Sequence, residues 1–222
     1  MIIVHHLNNS RSQRVLWMLE ELDKPYQIVR YQREPTMLAP ESLKKVHPLG
    51  KSPVVEDNGN ILVESGAILE YLQETYDRES RLKPIAAQDR LQYRFWLHYA
   101  EGSLMPLLMM KLVFSRLGKA PVPWLLRPVG NVLGQGVQKA YLNKQLLTHA
   151  RFIENYLATS PWFAGQAFSA ADIQMIFPVI ALLARGGVND LPNMQAWLKN
   201  AQMRPAWQSA ITQGGPFELP AG

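Results

Sequence analysis

The sequence predicts two joined parts: an α/β domain with element order β-α-β-α-β-β-α, then an all-α helical domain. Three observations carry this. The first 31 residues hold a strand–helix–strand pattern so compact that it implies a parallel pair with a right-handed crossover. Asp57-Asn58-Gly59-Asn60 stands between two short apolar runs as a strong hairpin signal. Beyond Gln88, apolar residues recur mainly at helical spacing.

Ile2–His6 reads as a short buried strand and Asn8–Ser12 as a polar loop. Val15, Leu16, Leu19 and Leu22 share a helical face, so Ser12–Leu22 is a helix. Asp23-Lys24-Pro25 ends it, because proline disfavours helix in the residue before it. Tyr26–Tyr31 alternates and is rich in β-formers, a second strand. Arg33–Pro40 is a loop, and Pro40–Val46 a short helix that opens on proline, which a first turn tolerates. His47-Pro48-Leu49-Gly50-Lys51-Ser52-Pro53 is a structured turn. Val54–Glu56 and Ile61–Val63 are the hairpin strands, and a helix starting at Glu64 places Ile68, Leu69, Leu72 and Tyr76 on one face.

The first domain therefore spans residues 1–77, a linker spans 78–87, and the helical domain spans 88–222. Gln88–Leu117 is a long helical stretch that Pro106 bends. Gly118–Gly136 holds three prolines and four glycines around Trp124-Leu125-Leu126 and reads as a loop or a broken helix. Val137–Ala158 is a helix, and Ser169–Arg185, apolar nearly all round, is a buried one. Asn193–Gln202 and Pro205–Gln213 are short closing helices.

With 222 residues, 47% hydrophobic and 18% charged, the chain can bury a real core and is too apolar for dominant disorder. It contains no cysteine, which excludes disulfides, thiolate–metal and iron–sulfur sites and a cysteine nucleophile. Thiol chemistry would need a sulfur borrowed from a ligand. Met1–His6 lacks a basic n-region and a long apolar run, and no apolar stretch reaches about 18 residues, so a cytoplasmic protein without a membrane span is expected. A net charge of +5 admits nucleic acid, but no zinc pattern, basic helix or aromatic RNA-binding motif accompanies it. No nucleic-acid partner and no metal is expected.

Four local patterns stand in order along the chain: the loop Asn8-Asn9-Ser10-Arg11-Ser12-Gln13-Arg14; the turn His47-Pro48-Leu49-Gly50-Lys51-Ser52-Pro53-Val54; Glu64-Ser65 followed by Gly66-Ala67-Ile68; and Phe168-Ser169-Ala170-Ala171-Asp172-Ile173. In this order the chain resembles the cytosolic glutathione transferase superfamily over essentially its whole length, in detail a bacterial and fungal branch with serine-centred loops. The resemblance implies a thioredoxin-like first domain that binds glutathione, a cis proline at Pro53, and a homodimer built near Phe95 and the third helix of the first domain. It also implies a detoxifying transferase, with glutathione as co-substrate, its thiolate conjugated to small hydrophobic electrophiles. Glutathione-dependent peroxidase activity is a companion function. The alternative is a non-catalytic glutathione-binding or protein-interaction module on the same fold. His47 replaces the family's usual Asn and reads as turn-stabilising.

Each pattern also has a physical reading. Ser65 lies where a helix begins, so free N–H groups and the positive helix end can take the γ-glutamyl carboxylate, with Glu64 pairing the ammonium; alternatively Ser65 is only an N-cap. A cis Ser52–Pro53 bond would turn the Val54 backbone toward the cysteinyl part of glutathione, and Lys51 would either reach the glycyl carboxylate or stay solvated. Ser10 is the choice for holding the thiolate, with Asn9, Asn8 and Ser12 as competitors and Arg11 adding positive potential. Met105, Leu108 and Met109, with Leu104 and Phe114, either wall an apolar substrate pocket or fill the helix core. Gly118–Gly136 shapes a pocket, packs at a dimer interface or touches a membrane surface. Ser169 and Asp172 have capping-box spacing and a purely structural role.

Overall fold

The computed structural model describes residues 1–34, 36 and 38–217. β1 (Ile2–Leu7), α1 (Ser12–Glu21), β2 (Tyr26–Tyr31), α2 (Glu41–Val46), β3 (Val54–Asp57), β4 (Asn60–Val63) and α3 (Ser65–Tyr76) follow one another in the predicted order. Pro35 and Met37, inside the expected loop Arg33–Pro40, lie outside the described residues. The sheet order is β2-β1-β3-β4; β1 and β2 are parallel, and β3 is antiparallel to both its neighbours. Asn58 and Gly59 both carry positive φ, 48° and 80°, the left-handed pair that a two-residue hairpin turn of type I′ requires.

The helical part comprises α4 (Ala87–Tyr99), α5 (Met105–Ser115), α6 (Arg127–Val137), α7 (Asn143–Leu157), α8 (Ala170–Arg185), α9 (Pro192–Gln202) and α10 (Pro205–Gly214). The long stretch expected from Gln88 is divided by one π-helical turn, Ala100–Leu104, just before Pro106, and this turn sets the break between α4 and α5. Of the two readings of Gly118–Gly136, loop or broken helix, the structure shows a loop first and then helix. A 3₁₀ turn, Trp124–Leu126, leads directly into α6, which continues through a second π-helical turn, Gln138–Leu142, into α7. Its glycines serve close packing: a Cβ on Gly130 would lie 2.1 Å from the Leu117 carbonyl oxygen, and one on Gly134 would lie 2.4 Å from that of Phe114.

α8 is the hub of the helical part. It packs on α4, α5 and α9 and, across the domain junction, on α1 and α3, while α10 covers α1. One apolar core therefore runs from Val4 and Leu16 through Trp96 to Ile176 and Trp207. The Ser169–Asp172 capping box is present. Ser169 Oγ accepts from Ala171 N at 3.3 Å, and the Asp172 carboxylate accepts from the backbone N–H of Ser169 and Phe163 and from Trp197 Nε1, each at 2.9 Å. Burial pushes this carboxyl up to about 6, so it is an anion at neutral pH. The buried Glu154 of α7 does the same for α9, accepting from Asn193 N, Asn193 Nδ2 and Met194 N.

A charge ties the two parts together. Arg14 on α1 is fully buried; its Nη1 donates to Ser65 Oγ of α3 at 2.9 Å and to Glu101 Oε1 in the first π-helical turn at 2.7 Å. Arg11 Nε donates to the same carboxylate oxygen at 2.8 Å.

Two outcomes follow for stability. Asp172→Ala takes the acceptor from four buried donors, the Ser169 and Phe163 N–H groups, Trp197 Nε1 and the Ser169 hydroxyl, and lowers the unfolding free energy by at least about 3 kcal/mol, read from urea denaturation. Glu101→Ala strands the Arg14 charge and costs about 3 kcal/mol, whereas Glu101→Gln, which keeps an acceptor, costs clearly less in the same assay.

Candidate functional site

A cleft of about 1010 Å³ lies between the loop after β1, the turn before β3, and helices α5 and α8. Its polar end is made by Asn8, Asn9, Ser10, Arg11, Lys51 and Ser52, and its apolar end by Met105, Leu108, Met109, Leu112, Phe177 and Ala181. The two ends arise from different elements. The first loop is held because Asn8 N donates to Tyr31 O at 3.2 Å while Asn8 Oδ1 accepts from Arg33 N at 2.9 Å. Asn9 then takes a positive φ of 49°, which asparagine tolerates better than most residues, and the chain turns into α1.

Ser10 sits at that turn, 4% exposed. Its Oγ lies 2.7 Å from Ser12 Oγ and 3.1 Å from Ser52 Oγ, and it accepts the Ser12 N–H at 3.2 Å. Ser12 Oγ is in turn 2.9 Å from His6 Nδ1. Burial lowers the His6 pKa, against the pull of the Gly214 backbone carbonyl, to which a ring N–H donates. A neutral ring donating to Gly214 leaves Nδ1 as an acceptor. With Nδ1 accepting, Ser12 donates to His6; the Ser10–Ser12 and Ser10–Ser52 contacts link the three hydroxyls, and Ser12 and Ser52 also have the Leu7 and His5 carbonyl oxygens as acceptors at 3.3 and 3.4 Å.

The Ser52–Pro53 peptide is cis, as the turn pattern implied. Pro53 and Val54 are buried behind the cleft wall, and Lys51 is exposed at its rim. In the His47 turn, the closing bonds are made by the backbone, Gly50 N to His47 O at 2.9 Å, while His47 Nδ1 is buried without a partner. The ring therefore does not stabilise the turn in the way expected.

Ser65 is not an N-cap. Glu64 occupies that position, with φ 69°, exposed and without a side-chain cap bond, and Ser65 is the first helical residue. Its hydroxyl is taken by Arg14. Ser12 likewise lies inside α1 rather than capping it. Arg11 lines the cleft, but its charge is shared with Glu101, and it lies over the Phe177 ring at 5.0 Å. Burial alone raises the Glu101 carboxyl; Arg14 and Arg11 outweigh it and hold the group below the usual carboxylate range. Burial brings Arg14 down to about 10, still a cation at neutral pH.

The structure thus gathers Asn9, Ser10, Arg11, Lys51 and Ser52 with Met105, Leu108 and Met109 in one cleft. It leaves Pro53, Val54, Glu64 and Ser65 out of the cleft wall. Of the other apolar candidates, Leu104 is fully buried core and Phe114 packs beneath α6, so neither lines it. Sequence reasoning missed Arg14, Glu101, His6, Arg33, Phe177 and Arg185. A helical period could have flagged Arg14, a cation beside Val15, Leu16 and Trp17. Glu101 had no local signal.

Comparison with known proteins gives the same architecture a family. The N-terminal domain model of glutathione S-transferase matches residues 1–74, and the C-terminal domain model of glutathione S-transferase matches residues 104–205. Glutathione S-transferase 3 of Schizosaccharomyces pombe is 38% identical over 95% of this chain and 86% of its own. Glutathione S-transferase 1 of Saccharomyces cerevisiae is 33% identical over 89% of this chain and 88% of its own. The crystal structure of a glutathione S-transferase from Actinobacillus pleuropneumoniae superposes with a TM-score of 0.80 at 30% identity, covering 98% of this chain and 95% of the other. With both domain models matched in order and these identities across nearly the whole length, the chain belongs to the glutathione S-transferase family of enzymes.

Proposed function

We propose that this chain conjugates the thiolate of glutathione to small hydrophobic electrophiles, with Ser10 as the hydroxyl that holds the sulfur. The observation that carries this is a nearly buried hydroxyl at the start of a helix, on the wall of a cleft whose opposite end is apolar and methionine-rich. Glutathione would lie along the polar end. Lys51 would meet the glycyl carboxylate, the Val54 backbone would pair with the cysteinyl unit, and the Ser65 N–H, Glu64 and the neighbouring Arg14–Glu101 pair would form the γ-glutamyl end. Arg11, half neutralised by Glu101, would contribute positive potential and Asn9 a second donor. The electrophile would rest on Met105, Leu108 and Met109, where adaptable thioethers suit varied shapes. Holding the two reactants together supplies much of the rate.

The serine chain sets how much activation is available. A hydrogen bond to a charged group contributes about 1.5–3 kcal/mol, but Ser10 must first turn its proton away from a neighbouring serine, giving up about 0.5–1.5 kcal/mol. The start of α1 adds about 0.3–1 kcal/mol. The sum corresponds to a thiol pKa lowered by about one to two units, enough to bring a thiol of about 8.5 near neutrality. A homodimer through the face that carries the half-exposed Leu91 and Phe95 accompanies this reading.

Ser10→Ala is expected to raise the pKa of bound glutathione by about one unit and to lower kcat at neutral pH roughly tenfold, with glutathione Kd within about twofold. Ultraviolet titration of the thiolate and steady-state conjugation kinetics read both; an unchanged thiol pKa removes Ser10 from this role. His6 gives a pH signature of its own. Its pKa lies below the ordinary 6.5 in the folded protein, so the unfolded chain binds its proton first as pH falls. Stability is full above that value and declines below it. Urea midpoints measured from about pH 7.5 to about 5.5 should fall, less steeply in His6→Gln.

A further inference from the structure

Between Glu101 and Glu154 the chain carries no aspartate or glutamate and seven lysines and arginines, against a net charge of +5 for the whole sequence, so the rest of the molecule is net acidic. Among the described residues none of the seven takes part in an ion pair. In the middle of this stretch lies an apolar surface. Trp124, Leu125 and Leu126 of the 3₁₀ turn and Val129, Val132 and Leu133 of α6 are between 57% and 73% exposed. The last three recur at i, i+3 and i+4, one helical stripe. It is a different stripe from Gly130 and Gly134, which α6 uses to pack on the end of α5. α6 is thus held by its glycine face and presents large aliphatic side chains to solvent.

We propose that this surface docks on an anionic lipid bilayer. Apolar side chains enter the interface while the surrounding cations, Arg116, Lys119 and Arg127 among them, face the headgroups. An indole at the edge of such a patch suits the membrane–water boundary. A second copy of the chain does not fit the same face. A two-fold contact would set the acid-free stretch around α6 against its identical mate, cations facing cations. Arg127 Nε donates to the Val122 carbonyl at 2.9 Å, which fixes the side chain beside the patch without neutralising it. The exposed Met109, Met110 and Val113 of α5 extend the apolar surface toward the cleft, of which Met109 is a wall. An apolar electrophile dissolved in that bilayer then lies beside the apolar end of the cleft. This consequence rests on the proposed activity; the docking does not.

The test is cosedimentation of the full chain with vesicles of phosphatidylcholine alone and of phosphatidylcholine with phosphatidylserine, at low and high salt, with tryptophan fluorescence in parallel. The chain is expected to sediment with the anionic vesicles, with a blue shift lost in Trp124→Phe, and to release at high salt. The double variants Trp124→Ser/Leu125→Ser and Lys119→Glu/Arg127→Glu each weaken binding at least about tenfold, while circular dichroism and conjugation in free solution stay unchanged. No binding to anionic vesicles at low salt, or equal binding by the double variants, overturns the proposal. So does concentration-dependent association in light scattering that Trp124→Ser/Leu125→Ser abolishes, which would make the face a contact between copies. Vesicle binding without conjugation would leave the docking standing and remove the proposed activity.

Discussion

The buried guanidinium of Arg14 is held through Nη1 from both halves of the chain, while its Nε and Nη2 are buried without a hydrogen-bond partner. Ser65 reaches it from the start of α3, the helix that follows the hairpin, and Glu101 from the π-helical turn between α4 and α5. Arg11 shares the same carboxylate oxygen, and both guanidiniums lie over the Phe177 ring of α8, at 5.0 and 5.5 Å. Four elements are therefore positioned around one charge. An unpaired cation there would be costly, so the docking of the helical part on the sheet is specified as well as favoured. The first loop inherits its place from this arrangement: once Arg11 and Arg14 are fixed, Ser10 between β1 and Arg11 can reach only Ser12 and Ser52.

That placement has a chemical consequence. The Ser10 hydroxyl is part of a chain running from His6 through Ser12 to Ser52, with links of 2.9, 2.7 and 3.1 Å. Such a group is a weaker donor to a thiolate than an isolated hydroxyl, yet a better-positioned one, since every neighbour that holds it is itself buried or bonded. The half-neutralised Arg11 works in the same direction: a guanidinium wholly free beside the sulfur would offer more potential and less orientation. The site trades strength of each contact for fixed geometry.

Much of this fold was legible in the residues because it is written in local chemistry. Asn58-Gly59 demands left-handed backbone and got it; Ser169-x-x-Asp172 is a box of side chain to backbone bonds within one turn; the Ser52–Pro53 turn declares itself by its prolines. What was not legible shares a different cause. Gly130 and Gly134 stayed open between loop and broken helix because glycine signals either a turn or a close approach, and only the partner, α5, decides which. Ser65 read as a ligand site or a cap because the residue that takes its hydroxyl, Arg14, is 51 positions away. Glu101 was invisible for the same reason, and Leu104 and Phe114 stayed open between pocket wall and core because helical period places a residue on a face without saying which neighbour covers that face.

The distribution of charge ties these features into one design. Acidic side chains are spent where they hold structure: Asp172 and Glu154 on helix starts, Glu101 on the domain junction, Glu21 on Arg204. The stretch from α5 through the first part of α7, residues 102–153, has none. Its helices must therefore be held by other means, and they are: by glycine-mediated contact, by Lys111 donating to the Gly186 carbonyl at the end of α8, and by π-helical turns that keep the α6–α7 run continuous. A segment that gives up carboxylate ties keeps its cations unneutralised, and it shares α5 with the apolar half of the cleft. The same helix thus lines the interior where an electrophile would lie and borders the surface from which an apolar one would come, which makes the lack of acid in this region a property of the site as much as of the surface.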